Sequence, residues 1–144
     1  MVYNVLVVED TADWRAKLVG YLIQEGVYVV FEAADLETAV ELLESQPLDV
    51  AIIDIRLVDW DELNDQGMKL LRQLDEISDI NGTQAIIITG YGTKDRMREA
   101  FRDREVVDFI EKKHFHPDEF KRSVLKAVQT ARELRAEIID RELK

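Results

Sequence analysis

Apolar residues in this chain fall into short unbroken runs, separated by stretches with helical spacing. Three runs, Val5–Val8, Val50–Ile53 and Ala85–Ile88, are apolar at successive positions and rich in β-branched residues. A strand covered on one face alternates apolar with polar residues, whereas a strand covered on both faces does not. These three runs therefore predict buried strands of a parallel sheet. Tyr28–Glu32 and Val106–Ile110 predict two weaker strands. Between the strands, Trp14, Leu18, Tyr21 and Leu22 repeat at intervals of three and four and end before Gly26. Leu36, Ala39, Val40 and Leu43 do the same behind a candidate N-cap, Asp35, and stop before Pro47. Met68, Leu71 and Leu74 follow Gly67, and Met97, Ala100 and Phe101 follow Thr93. A last helix starts near Pro117, with Asp118 and Glu119 in the first turn, where the helix dipole favours acids.

The order is βα repeated five times. Such alternation predicts a doubly wound parallel five-stranded sheet with helices on both faces and right-handed crossovers. Sites in this architecture lie at the carboxyl ends of the strands. Glu9 and Asp10 end the first strand, Asp54 the third and Thr89 the fourth, and Lys112 lies just past the fifth. Three carboxylates, a hydroxyl and an ammonium are thus expected in one crevice. Two carboxylates about 4 Å apart repel by roughly 1 kcal/mol in water and about 4 kcal/mol at an effective dielectric of 20. The cluster needs a cation, and all-oxygen ligands suit a hard ion such as Mg²⁺. A phosphoryl group arriving on one carboxylate would be neutralised by the same charges.

Composition narrows the picture. The chain has 144 residues, no cysteine and 47% hydrophobic residues, which fits one domain without disulfides or thiolate metal sites. No apolar segment reaches membrane length, so a cytoplasmic protein is expected. The net charge of −11 is uneven: residues 1–111 carry 10 Lys/Arg against 24 Asp/Glu, and residues 112–144 carry 9 against 6. An acidic body of this kind repels phosphate backbones and argues against nucleic-acid binding.

The strand-end residues resemble the receiver domain of two-component response regulators, from Tyr3 to about Arg132. The acidic pair Glu9-Asp10 follows Asn4-Val5-Leu6-Val7-Val8, and Asp54 closes Ala51-Ile52-Ile53-Asp54. Thr89 closes Ile86-Ile87-Ile88-Thr89, and Lys112 closes Asp108-Phe109-Ile110-Glu111-Lys112. The resemblance implies a flavodoxin-like fold and a stand-alone domain over residues 1–132, with 133–144 extending the last helix. It implies phosphorylation of Asp54 by a sensor histidine kinase or phosphotransfer protein. Mg²⁺ would be held by Glu9, Asp10, Asp54 and the Arg56 backbone carbonyl. Thr89 and Lys112 would move toward the phosphoryl group, and Phe109 would be the aromatic switch position. The product would be a phosphoacceptor switch with at most autophosphatase activity, signalling through the last strand and helix to a downstream protein or a second copy.

Four positions depart from the family pattern. Val58 stands where Pro is usual, and Gly67 comes thirteen residues after Asp54 rather than eight, which lengthens the acidic loop Val58–Gln66. Lys113 replaces the Pro after the lysine, and Glu105-Val106 replaces Gly-Ala. None removes a reacting group. With Lys113 in the Pro position, a trans Lys112–Lys113 bond is expected.

Rival functions lack their marks. An aspartyl-phosphate hydrolase of the haloacid-dehalogenase type wants a second Asp where Arg56 stands, and a flavin carrier wants a phosphate-cradling first loop. A receiver-like module never phosphorylated would have lost the acceptor, lysine or acidic pair. Asp59 and Asp61 resemble part of a calcium loop, but Leu63 and Leu70 fall at ligand positions. His114 and His116 could pair on a metal, though loop histidines seldom do. Along the last helix, Phe120, Val124, Ala127, Ala131, Leu134 and Ile138 keep a 4-3 spacing. The sheet is expected to cover only the first half, leaving either a frayed, solvated end or Leu134 and Ile138 exposed for a partner or a second copy.

Overall fold

The computed structural model describes residues 2–54, 72–77, 81–90 and 108–144. The strands are β1 (Tyr3–Val8), β2 (Tyr28–Ala33), β3 (Val50–Asp54), β4 (Gln84–Thr89) and β5 (Asp108–Glu111). Helix α1 spans Ala12–Gln24, α2 spans Leu36–Ser45, and the C-terminal helix spans Pro117–Glu142. Residues 72–77 are also helical, in line with the pattern around Leu71 and Leu74. The acidic loop Val58–Gln66 and the helix expected near Met97–Phe101 lie outside the described residues.

All five strands are parallel, in the order β2-β1-β3-β4-β5. This is the flavodoxin-like order, and its switch point lies between β1 and β3, where ligands bind in such sheets. Strand side chains alternate between the two faces. Val5 and Val7, Val50 and Ile52, and Ile86 and Ile88 join a core with Leu18 and Leu22 of α1 and with Phe120, Val124, Ala127 and Val128 of the C-terminal helix. Leu6 and Val8, Ala51 and Ile53, and Ile87 join a second core with Leu36, Ala39, Val40 and Leu43 of α2. Two cores explain why the central strands are apolar throughout.

Asp35 caps α2 as expected, accepting a hydrogen bond from the Thr38 backbone N–H at 2.7 Å. The Lys112–Lys113 bond is trans, within a 3₁₀ turn at Lys112–His114.

The C-terminal helix has 26 residues, a length of about 39 Å. Its coverage corrects the sequence expectation. Gly82, at φ 81°, lies so close to this helix that a Cβ there would sit 2.8 Å from the Ala131 carbonyl oxygen and 3.0 Å from Leu134 Cβ. Leu134 and Ile138 are half-buried rather than exposed. The exposed large apolar residues here are Leu125 and Ile139 on the helix and Leu143 just past its end.

Arginines extend the docking. Arg132 donates through Nε to Asp49 Oδ1 at 2.7 Å, and Arg135 Nη1 lies 3.0 Å from the same oxygen. The Asn4 backbone N–H donates to Asp49 Oδ2 at 2.8 Å. Asp49 is fully buried at the entry to β3, so its charge needs these partners. Its aliphatic neighbours in sequence gave no sign of that role.

Candidate functional site

The register of the sheet gathers the reacting groups. Val8 pairs with Ile53, Asp54 with Ile88, and Thr89 with Glu111. The residues that follow these pairs, Glu9 after β1 and Lys112 after β5, therefore emerge at the same edge as Asp54. Glu9 continues the alternation of Val5 and Val7, and Asp54 continues that of Val50 and Ile52. Both belong to the face covered by α1.

The distances bear this out. Glu9, Asp10 and Asp54 each offer a carboxylate oxygen, and these oxygens lie within 4.8 Å of one another. Lys112 Nζ lies 2.9 Å from Glu9 Oε2 and donates to Asp54 Oδ2 at 3.3 Å. Glu9 and Asp54 are each 1% exposed, while Asp10 faces solvent. The acidic turn is held from two sides. Glu9 Oε1 accepts from the Thr11 backbone N–H at 3.1 Å, and Arg15 Nη1 donates to the Glu9 carbonyl oxygen at 2.9 Å.

Burial pushes the Glu9 carboxyl above the ordinary carboxylate range. Lys112 and the Thr11 N–H pull it down, Asp54 pushes it up, and the net direction is upward. Glu9 Oε2 is the buried side-chain oxygen that receives no directed hydrogen bond among the described residues. The ammonium 2.9 Å away supplies countercharge without good alignment. A buried, poorly satisfied oxygen beside two other carboxylates fits a hard divalent cation with oxygen ligands.

Of the residues predicted for the site, Glu9, Asp10, Asp54 and Lys112 come together. Thr89 is the last residue of β4, at the same edge; its side chain and Arg56 lie outside the description. Phe109 is buried in the core on the α2 face. His114 is exposed and 3.6 Å from Glu111, and neither His114 nor His116 joins a three-ligand group among the described residues.

The sequence pattern placed Trp14 only in the apolar stripe of α1. Its ring packs against the α1-face core, but Lys112 Nζ also lies 5.2 Å from its centroid. The available signal was position, since Trp14 comes four residues after Asp10, in the first turn of α1.

No described helix is long and apolar enough to cross a membrane. Residues 5–125 match the family described as response regulator receiver domain. The chain is 28% identical over 119 residues to the chemotaxis protein CheY of Bacillus subtilis (strain 168), covering 78% of this chain and 98% of CheY. It is 33% identical over 90 residues to the TorCAD operon transcriptional regulatory protein TorR of Escherichia coli O157:H7, covering 62% of this chain and 35% of TorR. The matched region is thus about a third of TorR's length. NtrX from Brucella abortus superposes with a TM-score of 0.73 at 29% identity, over 99% of this chain and 30% of that one. A CheY-like receiver domain protein from Methanospirillum hungatei JF-1 superposes with a TM-score of 0.71 at 19% identity, over 92% and 98%; that likeness speaks for the fold alone. Because the family match spans most of the sequence and solved relatives share the architecture, this chain belongs to the response regulator receiver domain family.

Proposed function

We propose that this receiver domain takes a phosphoryl group onto Asp54 in the presence of Mg²⁺ and so switches a protein-interaction surface. The observation that carries the proposal is the convergence of Glu9, Asp10 and Asp54 within 4.8 Å, with Lys112 bridging two of them.

Phosphoryl transfer needs in-line positioning and charge neutralisation more than covalent help from the protein. An Asp54 carboxylate oxygen forms the new O–P bond while the bond from phosphorus to the donor's leaving group breaks. For a histidine kinase or phosphotransfer protein, that leaving group is a histidine nitrogen. Lys112 holds Asp54 Oδ2 beforehand and pairs with a phosphoryl oxygen afterwards. Thr89 is assigned the hydrogen bond to another phosphoryl oxygen. Glu9, Asp10, Asp54 and the Arg56 carbonyl would hold Mg²⁺, which supplies positive charge to both the carboxylates and the entering group. Phosphorylation adds roughly 1.5 to 2 negative charges. Thr89 and Phe109 carry the change toward β5 and the C-terminal helix, where a downstream protein or a second copy docks. A cytoplasmic location and at most autophosphatase activity go with this function.

Intact mass after incubation with a small phosphodonor tests it. Wild type should gain one phosphoryl group with Mg²⁺ and none with chelator, and Asp54→Asn should gain none. Unlabelled wild type in Mg²⁺ refutes the switch; an equally labelled Asp54→Asn refutes the acceptor.

A further inference from the structure

We infer that Trp14 is a positioning residue for the Lys112 ammonium during phosphoryl transfer; this rests on the function proposed above. Lys112 is confined on several sides. Its Nζ faces Glu9 Oε2 at 2.9 Å and Asp54 Oδ2 at 3.3 Å. Its Cδ lies 3.6 Å from where a Cβ on Gly90 would stand. The Trp14 ring lies against the ammonium, 5.2 Å from centroid to Nζ, inside the range in which an aromatic face attracts a cation.

The ring is itself fixed. It meets Phe115 edge-on, with centroids 5.4 Å apart and planes at 81°. Phe115 packs on Phe120, which is 1% exposed, and stacks on Tyr21. Trp14 is thus tied to the core through aromatic contacts. Lys17 Nζ also lies 4.3 Å from the Trp14 centroid, so the ring lies near a second cation.

A neutral ring suits this position for a physical reason. When Asp54 is phosphorylated, the ammonium must turn from a carboxylate oxygen to a phosphoryl oxygen. A lysine stem has four rotatable carbons and much freedom to lose. An acidic side chain in place of Trp14 would restrain the ammonium but compete with the phosphoryl group for its charge. A π-face restrains it without adding a formal charge. The aromatic face, rather than bulk alone, should therefore matter.

The test compares Trp14→Leu with Trp14→Phe, measuring Mg²⁺ affinity and the phosphorylation rate with a small phosphodonor. Trp14→Leu should react roughly threefold to tenfold more slowly, the factor expected from losing one cation–π contact. Trp14→Phe should recover most of the rate, and Mg²⁺ affinity should stay within about twofold in both, as an indole ring offers no oxygen ligand to a hard cation. A merely structural role would make the rate follow folding stability rather than aromaticity. Wild-type rate in Trp14→Leu, or equal slowing in both variants, overturns the inference while leaving Asp54 phosphorylation intact. Wild type that takes no phosphoryl group overturns both.

Discussion

Lys112→Met replaces the cation of the acidic cluster with an apolar chain of similar length. At an effective dielectric of 20, an ammonium 2.9 Å from Glu9 and 3.3 Å from Asp54 contributes about 6 and about 5 kcal/mol of attraction. Three carboxylate pairs at separations up to 4.8 Å repel by at least about 3.5 kcal/mol each, or roughly 10 kcal/mol or more together. Attraction and repulsion nearly cancel in the metal-free protein, before desolvation is counted. Without Lys112 the repulsion stands alone. The protein answers by protonating Glu9, whose carboxyl already lies above its ordinary range, and this removes two of the three repulsions. The expected loss is therefore that of a broken buried ion pair, about 3–5 kcal/mol at neutral pH in chelator. Its pH dependence has a definite sign. A carboxyl raised on folding adds stability below its unfolded pKa and loses that contribution as pH rises through its folded pKa. The deficit of Lys112→Met should accordingly shrink as pH falls toward the acidic range. Saturating Mg²⁺ should also reduce it, since a ligand bound only by the folded state adds about 2.7 kcal/mol at a hundredfold excess over its Kd. Urea midpoints at unchanged slope provide the assay. A variant within about 1 kcal/mol of wild type in chelator at neutral pH would refute the electrostatic account, as would a deficit independent of pH.

Two further substitutions probe the scaffold. Gly82→Ala places a Cβ 2.8 Å from the Ala131 carbonyl at a φ of 81°; left-handed strain plus overpacking predict a loss of roughly 2–4 kcal/mol by urea denaturation, and an unaffected variant would deny the close docking of the C-terminal helix. Asp35→Ala should cost about 1 kcal/mol at neutral pH through loss of the cap. Because the Thr38 backbone N–H lowers the Asp35 pKa from 3.8, that contribution exists above the unfolded pKa and fades as pH falls through the folded value, so the two proteins should converge in strong acid.

The parts of the fold written locally were legible in the sequence. Unbroken β-branched runs revealed β1, β3 and β4, because both faces of those strands are buried. Asp35 and Pro117 marked helix starts through local capping chemistry. The acid cluster was legible because a parallel sheet sends every strand's carboxyl end the same way. Long-range packing was not. Gly82 reads as an ordinary turn glycine until the helix that runs past it is placed. Asp49 reads as a solvated loop acid until Arg132 and Arg135 arrive from more than eighty residues away. Leu134 looked exposed for the same reason, since a helical stripe does not state how far its partner surface extends.

Locating the phosphoryl group within the chain tests the central claim most directly. Borohydride reduces an acyl phosphate to an alcohol, which leaves a permanent mark on the residue that carried it. After reaction with phosphodonor and Mg²⁺, peptide mass spectrometry should find that mark on Asp54 alone, and chelator should abolish it. A mark on Glu9 or Asp10 instead, or one on Asp54 that forms equally well without Mg²⁺, would contradict the account.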